Sequence, residues 1–367
     1  MKKFLFVIFF IFSLHFGQDR HEFKNLNILK TTPVKSQGNS GTCWVFATTS
    51  FVETELLRKG FEETDLSEMF TVNHKLLSMA ENYVRYHGKA NFGEGGQAHD
   101  LLNVVRKFGM MPENNYSGKN IGLEKHNHSE MSSVLQGMLD GIIKDDNAKL
   151  TPRWKEAIAS VIDIYLGKIP DTFVYKGKEY TPKAFQELTK FNPDDYVEIT
   201  SYTDKPFYKK FILPLPDNWA NAEYYNIPLD ELIEIIEKSI KNGYSVCWDG
   251  DSGRDNFYRE ECYAVIPDEN IKTDSNLPEV EKNITQEIRQ AAFENFDVTD
   301  DHLMHIVGTA EDQNGTRFYY TKNSWGTENK KFNGYWYMSE NYVKLKTVAI
   351  IVNKDSIPKN IKEKMGI

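Results

Sequence analysis

The sequence predicts an α+β fold of two lobes, one helical and one strand-rich and barrel-like, with a helical insertion. Three observations point there. Helical periodicity dominates up to Phe108, strand-like runs dominate after Ser245, and a stretch of different character lies between. At 367 residues the chain is long for one domain and ample for two lobes with a large buried core. Hydrophobic residues make up 40% and charged residues 26%, the balance of a globular chain. The formal net charge of -9 argues against non-specific nucleic-acid binding and against docking on an anionic membrane.

The chain opens with Lys2 and Lys3, then an almost wholly apolar run from Phe4 to Phe16. This is the layout of a secretory signal peptide, with cleavage expected near Gly17, although His15 suits the cleavage site poorly. The alternative is a retained membrane anchor, but the run is short for a bilayer span. Export to the periplasm or medium is therefore expected, with no stable membrane association after cleavage.

Pro33 to Cys43 is rich in Gly, Ser and Asn and reads as a loop. From Trp44 to Arg58 apolar residues fall at helical spacing, and Gly60 is the stop. A second helix is expected over Ser67 to His87, a glycine-rich loop over Asn91 to Gln97, and a third helix over Ala98 to Phe108. The middle carries a helical pattern from Trp154 to Leu166 among mixed polar and aromatic stretches. A helix returns over Leu229 to Asn242. Strands follow at Ser245 to Trp248, Leu303 to Ala310, Arg317 to Thr321, Gly334 to Met338 and Val348 to Asn353. The expected division is a leader over 1–17, an N-terminal strand and helical lobe over 18–115, an insertion over 116–225, and a strand-rich lobe over 226–367.

Cys43 sits where a glycine-rich loop meets a helix N-terminus. Unpaired backbone N–H groups and the helix dipole favour a thiolate there, so Cys43 is a candidate nucleophile; the plainer reading is a buried cysteine that starts a helix. Gln37, in the same loop, carries an amide N–H₂ that can join the Cys43 N–H in holding an oxyanion; otherwise it braces the loop. Among nine histidines, His302 opens an apolar strand, and Asn323 lies just downstream beside Trp325. An amide oxygen that accepts an imidazole N–H fixes ring and tautomer, and a tryptophan beside that contact shields it from water.

Gln37-Gly38 through Cys43-Trp44-Val45-Phe46-Ala47 resembles the active-site segment of papain-like cysteine peptidases. Asp301-His302 to Val307-Gly308 is similar to their histidine segment, and Lys322-Asn323-Ser324-Trp325-Gly326 to their asparagine segment. Leu66-Ser67-Glu68 and Gly95-Gly96 match in order. The resemblance implies a papain-like fold with Cys43, His302, Asn323 and Gln37 as catalytic residues. It also implies Gly95, Gly96 and Trp325 at a peptide-binding cleft, and needs no metal or organic cofactor. His305 is the rival base; it lies three residues on, on the opposite face of the strand, and reads as a packed structural histidine.

The middle is similar to the insertion of bleomycin hydrolase and aminopeptidase C, in Val161 to Gly167, Pro170, Phe173, Tyr180 to Phe185, Ile227 to Leu232 and Gly243 to Trp248. That branch also lacks a disulfide in the active-site loop, as here, where Ser40 and Gly93 stand at the two positions. The resemblance implies an aminopeptidase, with an endopeptidase or a catalytically silent peptide-binding relative as alternatives. In that branch an N-terminal arm helps assemble hexamers and a C-terminal tail enters the cleft. Both look short here, so a homo-oligomer is an open expectation and a hexamer is in doubt.

Of three cysteines at most one pair can bridge, and Cys247 and Cys262 read as buried and inert. His126 and His128 suggest a metal site but more often stand solvated in such a polar loop. Asp249 to Gly253 lacks the spacing of a calcium loop and reads as a turn. Glu62-Glu63 reads as a solvated face.

Overall fold

The computed structural model describes residues 20–144, 149–253 and 255–367. The expected leader therefore lies outside the described residues; among the described residues no helix is long and apolar enough to cross a membrane.

The helical side comprises strand β1 (Lys24–Ile28) followed by helices α1 (Cys43–Arg58), α2 (Glu68–Arg85), α3 (Ala98–Phe108), α4 (Ser129–Ile142) and α5 (Arg153–Leu166). A hairpin of β2 (Phe173–Tyr175) and β3 (Lys178–Tyr180) leads to α6 (Pro182–Thr189). Lys176 and Gly177 have φ of 48° and 76°, so the hairpin turns on two left-handed residues. Strands β4 (Tyr196–Thr200), β5 (Lys210–Ile212) and β6 (Glu223–Asn226) precede α7 (Leu229–Lys241). Then come β7 (Val246–Gly250), β8 (Phe257–Tyr258), β9 (Tyr263–Ala264), α8 (Gln286–Glu294), β10 (His302–Glu311), β11 (Arg317–Lys322) and β12 (Tyr335–Ser339). The chain finishes on α9 (Glu340–Lys346), β13 (Thr347–Asn353) and α10 (Lys359–Met365).

One sheet runs β5-β6-β4-β13-β7-β10-β11-β12-β9-β8. Strand β10 is its hinge: its first half pairs with β7, from His302 opposite Gly250 to Ile306 opposite Val246, and its second half pairs with β1. The earliest described strand is thus tied to the strand that carries His302.

Helix α1 explains why the two sides meet. It is buried from Trp44 to Leu56, polar residues included, because helices flank it on one side and β10 with β7 on the other. A helix buried all round needs partners for its polar side chains. Thr48 Oγ1 lies 3.6 Å from Cys247 Sγ, and Ser50 Oγ 2.9 Å from His305 Nδ1. Helix α2 begins where the Ser67 hydroxyl accepts the Phe70 N–H, a side-chain N-cap. Helix α10 buries Ile361 and Met365 in the cluster that contains Ile235, Ile236 and Ile240 of α7. The last helix thereby packs on α7.

Two expectations need correction. His126 and His128 are not solvated: both are buried, because their segment packs under the active-site loop, where Asn127 bridges to Asn39. An added Cβ on Gly38 would strike the His126 backbone, and Gly38 has φ of +63°, so this contact demands glycine. Burial holds the His126 imidazole down at about 4, hence neutral. Among the described residues no group of three or more candidate ligands could hold a metal ion. Nor is Asp249 in a turn: Asp249 and Gly250 end β7, and the turn begins at Asp251, whose Oδ1 accepts the Gly253 N–H at 2.6 Å.

Candidate active site

Cys43 is the first residue of α1, so its N–H has no carbonyl one turn earlier within the helix. The Leu303 backbone N–H faces the Cys43 sulfur and favours its thiolate. Leu303 follows His302 on β10, so the thiol lies beside the strand that starts with the imidazole. His302 Nε2 lies 2.8 Å from Asn323 Oδ1, and both residues are buried. Asn323 follows β11, the neighbour of β10 in the sheet. Since Asn323 Oδ1 is an acceptor here, Nε2 carries the hydrogen, and Nδ1 is left as the free lone pair of a neutral ring.

Trp325 covers this contact, its ring 4.8 Å from the imidazole at 30°. The Arg259 guanidinium lies over the Trp325 ring at 5.0 Å. Burial lowers the His302 pKa, partly offset by its bond to Asn323 and by Asp301. The thiol moves the other way. Burial, with Asp300, Asp249 and Asp301 nearby, pushes Cys43 up to about 12 against the pull of the Leu303 N–H. Both shifts favour thiol and neutral imidazole.

Gln37 is tied to the asparagine segment. Its Oε1 accepts from Ser324 Oγ at 2.6 Å, its Nε2 donates to the Ser40 carbonyl at 2.7 Å, and its N–H donates to the Ser324 carbonyl at 2.8 Å. One Nε2 hydrogen remains outside these bonds. Ser324, to which the sequence alone assigns no task, clamps the Gln37 amide.

Gly95 and Gly96 follow Glu94, whose carbonyl accepts the Trp44 Nε1–H at 2.9 Å. A Cβ on Gly96 would press on Trp44 and Asp100, while one on Gly95 would collide with the Asp217 carboxylate. The Gly95 carbonyl is occupied by Lys75 Nζ. Asp217, which the sequence did not single out, lies against Gly95. His305 is buried away from Cys43, with Nδ1 on Ser50 Oγ, as its place on the strand predicts. Cys247 and Cys262 are buried and free.

Fold and site together define a class, the papain-like cysteine peptidases. The chain belongs to the Peptidase C1-like family, whose model matches residues 17–366. It is 24% identical to aminopeptidase G of Lactobacillus delbrueckii subsp. lactis over 385 residues, covering 91% of this chain and 84% of that protein. It is 23% identical to bleomycin hydrolase of Mus musculus over 390 residues, covering 93% and 84%. The fold is similar to the crystal structure of PepW from Lactobacillus rhamnosis, with a TM-score of 0.73 at 18% identity, covering 94% of this chain and 84% of that one.

Proposed function

We propose that this chain hydrolyses peptide bonds as an aminopeptidase, through a thioester acyl-enzyme on Cys43. The observation that carries the reading is the bond from His302 Nε2 to Asn323 Oδ1, with Cys43 opening α1, the helix packed on the strand that His302 starts. The Cys43 proton passes to His302 Nδ1 as the sulfur attacks the peptide carbonyl. The Cys43 N–H and the free Nε2 hydrogen of Gln37 hold the oxyanion. The imidazolium then protonates the leaving amine, and the same nitrogen activates the water that releases the acyl group. Asn323 keeps the ring in the tautomer that each step needs. No step calls on a metal or organic cofactor.

The aminopeptidase mode is supported by the names of relatives such as aminopeptidase G and by the Asp217 carboxylate that lies against Gly95. The test compares a free-amino aminoacyl amide with its N-acetylated form. Faster cleavage of the free-amino substrate is expected; faster cleavage of the acetylated one turns the reading to an endopeptidase. The basic and apolar start of the chain further supports export, checked by sequencing the N-terminus of the mature protein.

A further inference from the structure

A cluster of carboxylates lies beside the nucleophile, and the triad does not use it. Asp249, near the end of β7, lies directly opposite Leu303, the residue after His302. Asp249 is only 4% exposed, and neither of its carboxylate oxygens meets a hydrogen-bond donor. The group within hydrogen-bond reach is the Asp300 carboxylate, itself held at Oδ2 by Gln97 Nε2 at 2.6 Å. Two carboxylates cannot both ionise at that range: burial and Asp300 raise Asp249, while burial and Asp217 push Asp300 up to about 7 against a bond from Asp249 that pulls it down.

Asp217 adds a third carboxylate. It lies on the segment between β5 and β6, against Gly95, and its Oδ1 accepts from Asn91 Nδ2 at 2.7 Å. The segment is pinned by the Asn218 side chain to the Leu213 and Ala222 carbonyls, and by Trp219 Nε1 to Asp100 Oδ2 at 3.1 Å. Its charge reaches both Asp300 and Asp249.

Basic groups nearby are already engaged. His99 Nδ1 lies 3.0 Å from Glu198, and Lys75 binds the Gly93 and Gly95 carbonyls. Without a cation the pair keeps a shared proton; an arriving cation lets both carboxylates ionise and gains two charged partners.

We propose that Asp217, Asp249 and Asp300 form a subsite beside Gly95 that takes the free α-ammonium group of a peptide's first residue. This rests on the aminopeptidase reading. An α-ammonium offers three N–H donors to converging carboxylates. It also ends the chain, so it needs no channel beyond Asp217. A lysine or arginine side chain has the same charge chemistry and is the competing occupant.

The experiment uses three fluorogenic substrates: a leucyl amide, its N-acetyl form, and an N-acetyl-arginyl-leucyl amide. Asp217→Asn and Asp300→Asn are the working variants, because both residues are more exposed than Asp249; thermal melting reports their folding. Each variant should cut the leucyl over acetyl-leucyl ratio of kcat/KM roughly tenfold or more, mainly through KM. Asp300→Glu should restore part of it. A wild-type preference for the free amine that survives in both variants overturns the subsite and leaves the aminopeptidase standing. A wild-type preference for the acetyl-arginyl substrate, lost in the variants, overturns both and assigns the carboxylates to a cationic side chain. Cleavage of none of the three also overturns both.

Discussion

His302 Nε2 and Asn323 Oδ1 stand 2.8 Å apart, buried beneath Trp325. The bond leaves Nδ1 as the imidazole's free nitrogen. Replacing Asn323 by Ala frees the ring to rotate and to change tautomer, so kcat should fall by roughly 10²-fold, with KM little altered. His302→Ala removes the base itself and should cost more, on the order of 10³- to 10⁴-fold. Steady-state kinetics on one peptide amide measures both.

Gln37 is read through its free amide hydrogen. Gln37→Ala should lower kcat by about 10²- to 10³-fold, the usual cost of one oxyanion donor. Ser324→Ala removes only the clamp on Gln37 Oε1, so its effect should be smaller and in the same direction.

The carboxylates near Cys43 make a pH prediction for the thiol. They raise its pKa, so discharging one must lower it. In Asp300→Asn the pH profile of Cys43 alkylation by iodoacetamide should move to lower pH. An unmoved profile means that Asp300 does not act on the thiol.

The same residue affects stability with a definite sign. The folded pKa of Asp300, about 7, lies above that of an unfolded aspartate, so the folded state binds the extra proton between the two values. Its contribution is therefore favourable below that window and is lost as pH rises through it. Asp300→Asn should gain stability relative to wild type at pH 8 compared with pH 5, by about 1–2 kcal/mol after allowance for partial exposure. Urea unfolding at the two pH values measures it.

Phe51 tests the packing that joins the two sides. It is fully buried, with its ring 5.4 Å from Tyr196 and 5.9 Å from His305. Phe51→Ala should destabilise by roughly 3–5 kcal/mol.

Much of this was legible in the sequence because its signals are local. Helix α3 matches the expected bounds, and α1, α5 and α7 match within a residue, since apolar spacing and stop residues mark them. The strands from β10 onward read equally well from their apolar and aromatic runs. Helix α4 was missed because Gly137, Gly141 and its serines mask the Met131, Leu135, Leu139 spacing of its buried face. Strands β4 to β6 are short; β4 gains its identity from pairing with β13, which is distant in sequence, and β6 and β5 are added outside it. The triad candidates were legible as motifs. The Asp217–Asp249–Asp300 group was not, because its members lie on three separate segments and become a group only when β7, β10 and the β5–β6 connection converge. Asp300-Asp301 beside His302 was the one local hint.

The central claim is that His302 activates Cys43, and covalent labelling tests it most directly. A peptidyl thiol-directed electrophile, followed by mass spectrometry, should modify Cys43 and leave buried Cys247 and Cys262 untouched. The rate should fall by roughly 10²-fold or more in His302→Ala. Labelling that spares Cys43 in the folded protein, or proceeds equally fast without the imidazole, contradicts the account.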